Sequence, residues 1–468
     1  MVLIGGLVKL WIKAGYKKEL FQSFLTALLL VSVINALVVL IQSSPYIELF
    51  SPAIEKGNAA RPGGFISQTN IAGSWFVCGL IALVFINSPS DRKTSQPTFV
   101  NITFMVLLLW AINITASRVA LLELYAITLV LFVMRKKFST SKIWLLMPVW
   151  QIAIHYLWEM AIQFWELKSS PGMFARLSET QQNRYEIYQG VINTIQEHPW
   201  LGIGWRQLQL EQISRPDFAG VVDHAHNLLL HIQLELGIVG SIAMVIFLLY
   251  WLSQKHMWSS DDPVVTVGLL ISMVFGLHSM TEFPLWYAPS LFAFCVAIAL
   301  VEKPSSLQVK LKPNLMLLLF TTQLTVLAWV YVDHSIAYGK IEKYIRDEPF
   351  IESAETYHSW WFKIYDDYRV LQAMQITPEN QSEYKEQTIQ LANFFTPAIP
   401  YLHLLKIYVF SKNEEKALGM ARKFCKVDPA YWQKIVAYHL INGPQEMQDW
   451  ILALPTELKQ CASSESHP

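Results

Sequence analysis

Apolar residues gather in long runs separated by short polar turns, and these runs set the architecture. Stretches approaching the ~20 residues that a helix needs to cross a bilayer fall at 20–42, 71–87, 98–116, 118–134, 143–165, 226–253, 264–280, 285–301 and 314–332. Two regions break the pattern. In the loop 166–225, residues 178–197 place Tyr185, Tyr188, Ile192 and Ile195 at helical spacing, which predicts an amphipathic helix lying on the bundle. His198-Pro199-Trp200-Leu201-Gly202-Ile203-Gly204-Trp205 then ends it with a proline and two glycines. Beyond 333 the spans stop and charge density rises. Residues 401–428 read as two helices about a polar turn at Lys412-Asn413, similar to a tetratricopeptide pair. The expected fold is therefore all-α: a polytopic transmembrane helical bundle over 1–333, with the large loop 166–225, followed by a soluble, TPR-like helical domain over 334–468. The opening Met1–Trp11 is apolar but too short to cross and unlike a cleavable leader, and is expected to be the end of a further helix.

Composition agrees with a membrane protein. The chain has 468 residues, 53% hydrophobic and only 15% charged, with mean hydropathy +0.31; a soluble domain carries about 25% charged residues. Lysine plus arginine balance aspartate plus glutamate at 36 each, so no general basic field points to nucleic acid. The distribution of positive charge sets orientation. With Lys9, Lys13, Lys17 and Lys18 cytoplasmic, alternate loops carry Arg92 and Lys93, then Arg135, Lys136, Lys137 and Lys142, then Lys255, then Lys303, Lys310 and Lys312. The loop 43–70, the loop 166–225 and the tail then share the outer side. Cys78 and Cys295 fall in apolar runs and read as core, whereas Cys425 and Cys461 can pair only if the tail is in an oxidising compartment.

The candidate chemistry gathers at that outer surface. His224-Ala-His226-Asn227 runs straight into an apolar helix, placing imidazoles at a membrane interface, where a neutral ring can take a proton from a hydroxyl while a neighbour such as Asn227 holds its other nitrogen. Interfacial histidines also occur as simple snorkelling groups. Arg118, at the outer turn between two spans, is a phosphate ligand or else an anchor or partner of Glu123; Arg184 offers phosphate or solvent the same choice. His278 and Glu282 stand four apart on one helix face, with Glu282 able to orient a histidine or accept from arginine. Phe283, Trp286 and Tyr287 beside them form an interfacial belt or a platform for sugar rings. Gln68 and Asn70 offer hydrogen bonds to a polar ligand or cap the next helix. Zinc spacing, a Walker loop and a serine nucleophile elbow are all missing from the sequence.

These elements together resemble a known family. His226-Asn227, with Gly237 and Gly240 behind it, resembles the signature of the O-antigen ligase and polymerase superfamily, and Arg184 leading to His198-Pro-Trp-Leu-Gly-Ile-Gly204 resembles its large-loop element. Within that superfamily, Leu277-His-Ser-Met-Thr-Glu-Phe-Pro-Leu-Trp-Tyr287 and Gly64-Phe-Ile-Ser-Gln-Thr-Asn70 look most like the bacterial protein O-oligosaccharyltransferases of the PglL and pilin-glycosylating type. Thr69 stands where that type commonly has proline, and the family usually has more spans at its amino end.

The resemblance implies an inner-membrane enzyme with a periplasmic site, moving a preassembled glycan from undecaprenyl diphosphate to a serine or threonine of pilin or another periplasmic protein. His226 would be the essential base, with Arg184 and Arg118 beside the diphosphate. Asn227, Glu282, His278, Gln68, Asn70 and His224 would bind substrate. Diphosphate is a good leaving group, so the chemistry calls for no cofactor and no metal. An O-antigen ligase or polymerase, acting on lipid A core or a growing chain, is the same-chemistry alternative; a lipid-linked glycan transporter or assembly scaffold is the alternative of another class.

Overall fold

The computed structural model describes residues 2–50, 53–54, 61–86, 98–138, 140–165, 182–214, 222, 224–254, 257–258, 260–302, 318, 321–322, 325–326, 328–336, 359–373, 375–394, 398–427 and 429–461. These residues are helical, with no strand among them. In chain order the helices are α1 (Val2–Lys13), α2 (Lys17–Ser43), α3 (Thr69–Phe85), α4 (Phe99–Thr115), α5 (Arg118–Val133), α6 (Met147–Trp165), α7 (Gln182–Glu197), α8 (Leu208–Ser214) and α9 (Leu228–Leu252). There follow α10 (Pro263–Ser279), α11 (Ala288–Val301), α12 (Lys363–Ala373), α13 (Gln381–Phe394), α14 (Ala398–Phe410), α15 (Glu414–Val427), α16 (Pro429–Asn442), α17 (Gln445–Ala453) and α18 (Thr456–Gln460). Two, α2 and α9, are long and apolar enough to cross a membrane; α3, α4, α10 and α11 are apolar but shorter. The run at 143–165 is interrupted at Leu146, where a single turn ends and α6 begins. Only scattered residues of the run at 314–332 are described.

Contacts divide the chain into two units. The first comprises 1–180, 226–228 and 245–310 and is built around α3, whose residues from Ile71 to Phe85 are all buried. Against α3 pack α2, α4, α5 and α10, while α10 also pairs with α11 and α11 with α1. Side chains set the starts of these helices: Gln68 accepts from the Ile71 amide, Ser117 from Ala120, and Asp262 from Val264 with Pro263 at the first helical position. Ser32 of α2 donates to the Trp75 carbonyl of α3 at 2.6 Å, a buried bond between the two helices.

The loops expected on the cytoplasmic side meet one another. Lys9 pairs with Glu302, Lys17 with Asp262, and Lys137 with Asp261 at 3.5 Å. Loop residues expected outside are likewise tied together: Gln42 near the end of α2 accepts from the Gly64 amide and Asn35 from Phe65, both at 2.8 Å.

The second unit comprises 181–225, 229–244 and 311–468. The units therefore do not part at 333, because the described part of the loop packs with tail helices: α8 lies against α13 and α15. The amphipathic helix is present as α7, but its buried stripe is Ile187, Val191 and Thr194, with Tyr185 and Ile192 exposed. Both stripes have helical spacing. Packing decides between them, since Ile187 and Val191 form a cluster with Leu208, Ala225 and Leu234. In the tail, α14 and α15 form a helical hairpin about left-handed Lys412, and α16 packs on α15. Its core is built around Leu404, Leu405 and Trp432, whose indole donates to the Leu458 carbonyl at 2.7 Å. Cys425 and Cys461 form a disulfide, while Cys78 and Cys295 are buried thiols.

Candidate active site

Helix α10 ends at Ser279, and the chain turns back through Thr281 and Glu282, whose amides donate to the His278 carbonyl at 2.9 Å. The turn separates two side chains that the four-residue spacing placed on one helix face. His278 remains inside: it is fully buried, with Nδ1 2.5 Å from Ser74 Oγ, and the Ser74 hydroxyl donates to buried Glu123 at 2.8 Å. Glu282 projects beyond the helix end, where its Oε2 lies 3.1 Å from His226 Nδ1. His278 thus belongs to a buried polar trio, and Glu282 is the carboxylate on the histidine at 226.

His226 has a left-handed backbone, φ 48°, immediately before α9. Asn227, expected to fix the ring, sends its amide to the Met280 carbonyl at 3.1 Å and so ties the turn after α10 to the start of α9. Behind Glu282 stands Asn70 in the first turn of α3, with Nδ2 3.4 Å from Glu282 Oε1. Arg61 completes the row: Nη2 donates to Asn70 Oδ1 at 3.2 Å and Nε to the Thr115 carbonyl at 3.3 Å. Gln68 acts as the cap of α3. Arg118 opens α5, half-buried, directly after its capping Ser117. His224 and Arg184 belong to the second unit.

A second construction surrounds the glycines. At Gly237 helix α9 is broken, with φ 64° and ψ −167°, a conformation essentially restricted to glycine. Residues 199–204 dock into the break through backbone bonds. Ile203 and Gly204 donate to Leu234 and Glu235 at 2.9 and 3.0 Å, and Ile238 donates to Pro199 at 2.8 Å. The Glu235 carboxylate adds a bond from the Arg206 amide at 2.7 Å. Gly237, which the sequence offered only as part of the histidine signature, is the socket for the His-Pro-Trp-Leu-Gly segment. A separate group, Glu197, His198 and Glu211, brings one donor atom each within 4.8 Å of one another at the surface, a set capable of meeting a cation.

Comparison with known proteins places both constructions in one context. The family model described as O-antigen ligase matches residues 103–245, and the one described as virulence factor membrane-bound polymerase, C-terminal, matches 264–441. The chain belongs to the O-antigen ligase superfamily. The first match contains Arg118, Arg184, His226 and the socket at Gly237; the second contains His278, Glu282 and most of the described tail. This O-antigen ligase relative is also similar to a general O-oligosaccharyltransferase of Acinetobacter baylyi, 19% identical over 318 residues, covering 65% of this chain and 55% of that protein. The chain thus matches little more than half the length of that curated relative. No solved structure matches.

Sequence reasoning missed Arg61 and Ser74. The signal for Ser74 was a hydroxyl within an otherwise apolar span; for Arg61 no local signal existed.

Proposed function

We propose that the chain is a multi-pass inner-membrane glycosyltransferase that moves a preassembled oligosaccharide from undecaprenyl diphosphate to serine or threonine hydroxyls of periplasmic proteins, pilin among the candidates. The observation that carries this reading is the His226–Glu282 pair, a histidine held by a carboxylate directly before an apolar helix. His226 takes the acceptor hydroxyl's proton as the oxygen bonds to the anomeric carbon. The sugar–diphosphate bond breaks on the opposite face, and the diphosphate leaves with the electron pair. Arg118, at the start of α5, stabilises its growing charge. The good leaving group makes a metal unnecessary to the step. The Cys425–Cys461 disulfide supports a periplasmic tail, and the Lys9, Lys17 and Lys137 pairs support a common cytoplasmic side for their loops.

Transfer to lipid A core or a growing glycan uses the same base and donor, and the descriptions of the two family models favour it as the second reading. The deciding measurement is mass spectrometry of periplasmic proteins and of lipopolysaccharide from cells carrying the wild-type chain or His226→Ala. Protein glycopeptides lost only in the variant support protein transfer. Glycan lost only from lipopolysaccharide selects the second reading, and glycans unchanged in both refute His226 as the base.

A further inference from the structure

Helix α9 changes character at its break. Before Gly237 it has a buried face formed by His231, Leu234 and Glu235, whereas every residue from Ile242 to Tyr250 is exposed, and all of these are apolar or aromatic. We propose that Trp200 and Leu201 insert into the outer leaflet of the bilayer, so that the segment 199–205, locked into the break, is an interfacial anchor for the second unit. The inference goes beyond glycan transfer and rests only on the membrane-spanning part of that reading.

The argument starts from where α9 can enter lipid. A helix that is apolar and exposed on all sides is a membrane helix rather than a surface one. The uncharged stretch from Leu236 to Trp251 reaches about 24 Å at 1.5 Å per residue, most of a hydrocarbon core of about 30 Å. The residues just before it, His231, Gln233 and Glu235, are polar. The span therefore starts at the break rather than at residue 226, and Gly237 marks the outer edge of the bilayer. A broken helix at that depth needs its freed backbone groups satisfied from within the protein. The segment supplies the partners on both sides: Ile203 and Gly204 donate to the Leu234 and Glu235 carbonyls, and Ile238 and Val239 donate to those of Pro199 and Trp200, at 2.8–3.4 Å. These bonds hold Trp200 beside the first turn of the span, with its Leu201 neighbour. Their side chains do not fold back on the chain: Trp200 is 70% and Leu201 75% exposed, continuous with exposed Ile238 and Val239. Trp205, 68% exposed, follows two residues that bond to Glu235 or precede the Arg206 amide bound by its carboxylate, and so lies further out. Tryptophan favours this depth, where its ring meets hydrocarbon and its N–H meets water. The anchor carries α7 with it, because Ile187 and Val191 pack on Leu234 just outside the break.

The test places a nitroxide on single cysteines in the full chain, reconstituted in vesicles of phosphatidylethanolamine and phosphatidylglycerol. Trp200→Cys, Leu201→Cys and Trp205→Cys are the probes, exposed Leu249→Cys in α9 is the lipid reference, and exposed Ile441→Cys in the tail is the water reference. The natural cysteines are bridged or buried, and wild type gives their background. Collisions with oxygen, which concentrates in the bilayer, are compared with collisions with a nickel chelate, which stays in water. The labels at 200 and 201 should shift towards oxygen relative to 441, with depth increasing in the order 205, then 200 and 201, then 249. Limited proteolysis within 198–206 verifies that each labelled segment stays docked, and the three probe sites are independent, so one misfolded variant leaves the others to decide. Labels at 200 and 201 as open to nickel as 441 would put the segment in water and overturn the anchor. Labels shielded from both reagents would mean that protein, such as a second copy of the chain, covers the patch, which also overturns it. A label at 249 open to nickel would remove the span itself, and so the reading on which the proposal rests, a failure distinct from loss of the anchor alone.

Discussion

Replacing Gly237 by alanine tests whether the helix break is built or incidental. A Cβ at that position would lie 2.2 Å from the Trp200 oxygen, 2.3 Å from its carbonyl carbon and 2.5 Å from the Leu201 nitrogen. These are backbone atoms that cannot swing aside as a side-chain tip can, so reaching ordinary contact at 3.4 Å requires the 199–204 segment to retreat by more than 1 Å. That movement breaks bonds now at 2.8–3.0 Å: Ile238 to Pro199, Ile203 to Leu234 and Gly204 to Glu235. Two or three lost bonds at about 1 kcal/mol each, added to about 1–3 kcal/mol for a side chain in that backbone region, give about 3–6 kcal/mol against the docked segment. The control is Gly276→Ala in α10, where an added Cβ meets nothing within 4 Å and the backbone is helical; it should be neutral or slightly stabilising. The assay is limited proteolysis of the purified full chain, reading the cleavage rate within 198–206 beside a thermal unfolding curve. Gly237→Ala should open that segment to cleavage and Gly276→Ala should not. Gly202→Ala, whose Cβ would lie 2.5 Å from the Glu235 backbone, should act in the same way, and the double variant should lose less than the sum because one ladder is being broken twice. Equal protection of Gly237→Ala and Gly276→Ala would refute the socket.

The tail offers two further tests. The Cys425–Cys461 bridge spans a sequence separation of 36, for which loop entropy gives about 4 kcal/mol; the Cys425→Ser, Cys461→Ser variant should therefore unfold earlier than wild type in the absence of reductant, and identical curves would exclude a stabilising bridge. His439 is held neutral down to about 4, first by burial and then by the charge of Lys406. Its stabilising contribution is complete above the unfolded value of about 6.5 and is lost as pH falls from there towards 4. The tail of wild type should lose thermal stability over that window more steeply than that of His439→Gln, and parallel curves would show that His439 does not couple folding to protons.

Most helices were legible because a buried helix must be apolar, and a run of apolar residues needs no partner to be seen. The ends of α3, α5 and α10 were marked by Gln68, Ser117 and Asp262, which complete their capping bonds within three residues. What the pattern could not choose was one face of α7 over another, since Tyr185, Tyr188, Ile192, Ile195 and Ile187, Val191, Thr194 are both helical stripes. The choice lies in Leu208, Ala225 and Leu234, supplied by other segments of the second unit. The same limit hid the socket: Gly202 read as a local helix breaker and Gly237 as one glycine of a signature, whereas their backbone geometry is explained by each other's neighbours.

The candidate site shows the limit more sharply, because ionisable residues in a membrane protein look alike until their partners are known. His278 and Glu282, four apart, had the spacing of a shared face, yet one residue of helix termination sends His278 to Ser74 and Glu123 and Glu282 to His226. His226 itself was legible, being set off by asparagine and an apolar helix. Its carboxylate, 56 positions later, could be proposed only as one of several roles. Arg61 was invisible for a physical reason: a lone arginine in a polar loop costs nothing to solvate, so nothing local distinguishes it from an orientation signal. Only its bonds to Thr115 and Asn70, 54 and 9 positions away, turn it from a charge in a loop into the fixed end of a polar row. Local sequence records the cost of burying a group; it does not record which distant group removes that cost, and in this fold the histidine's environment is made of such distant groups.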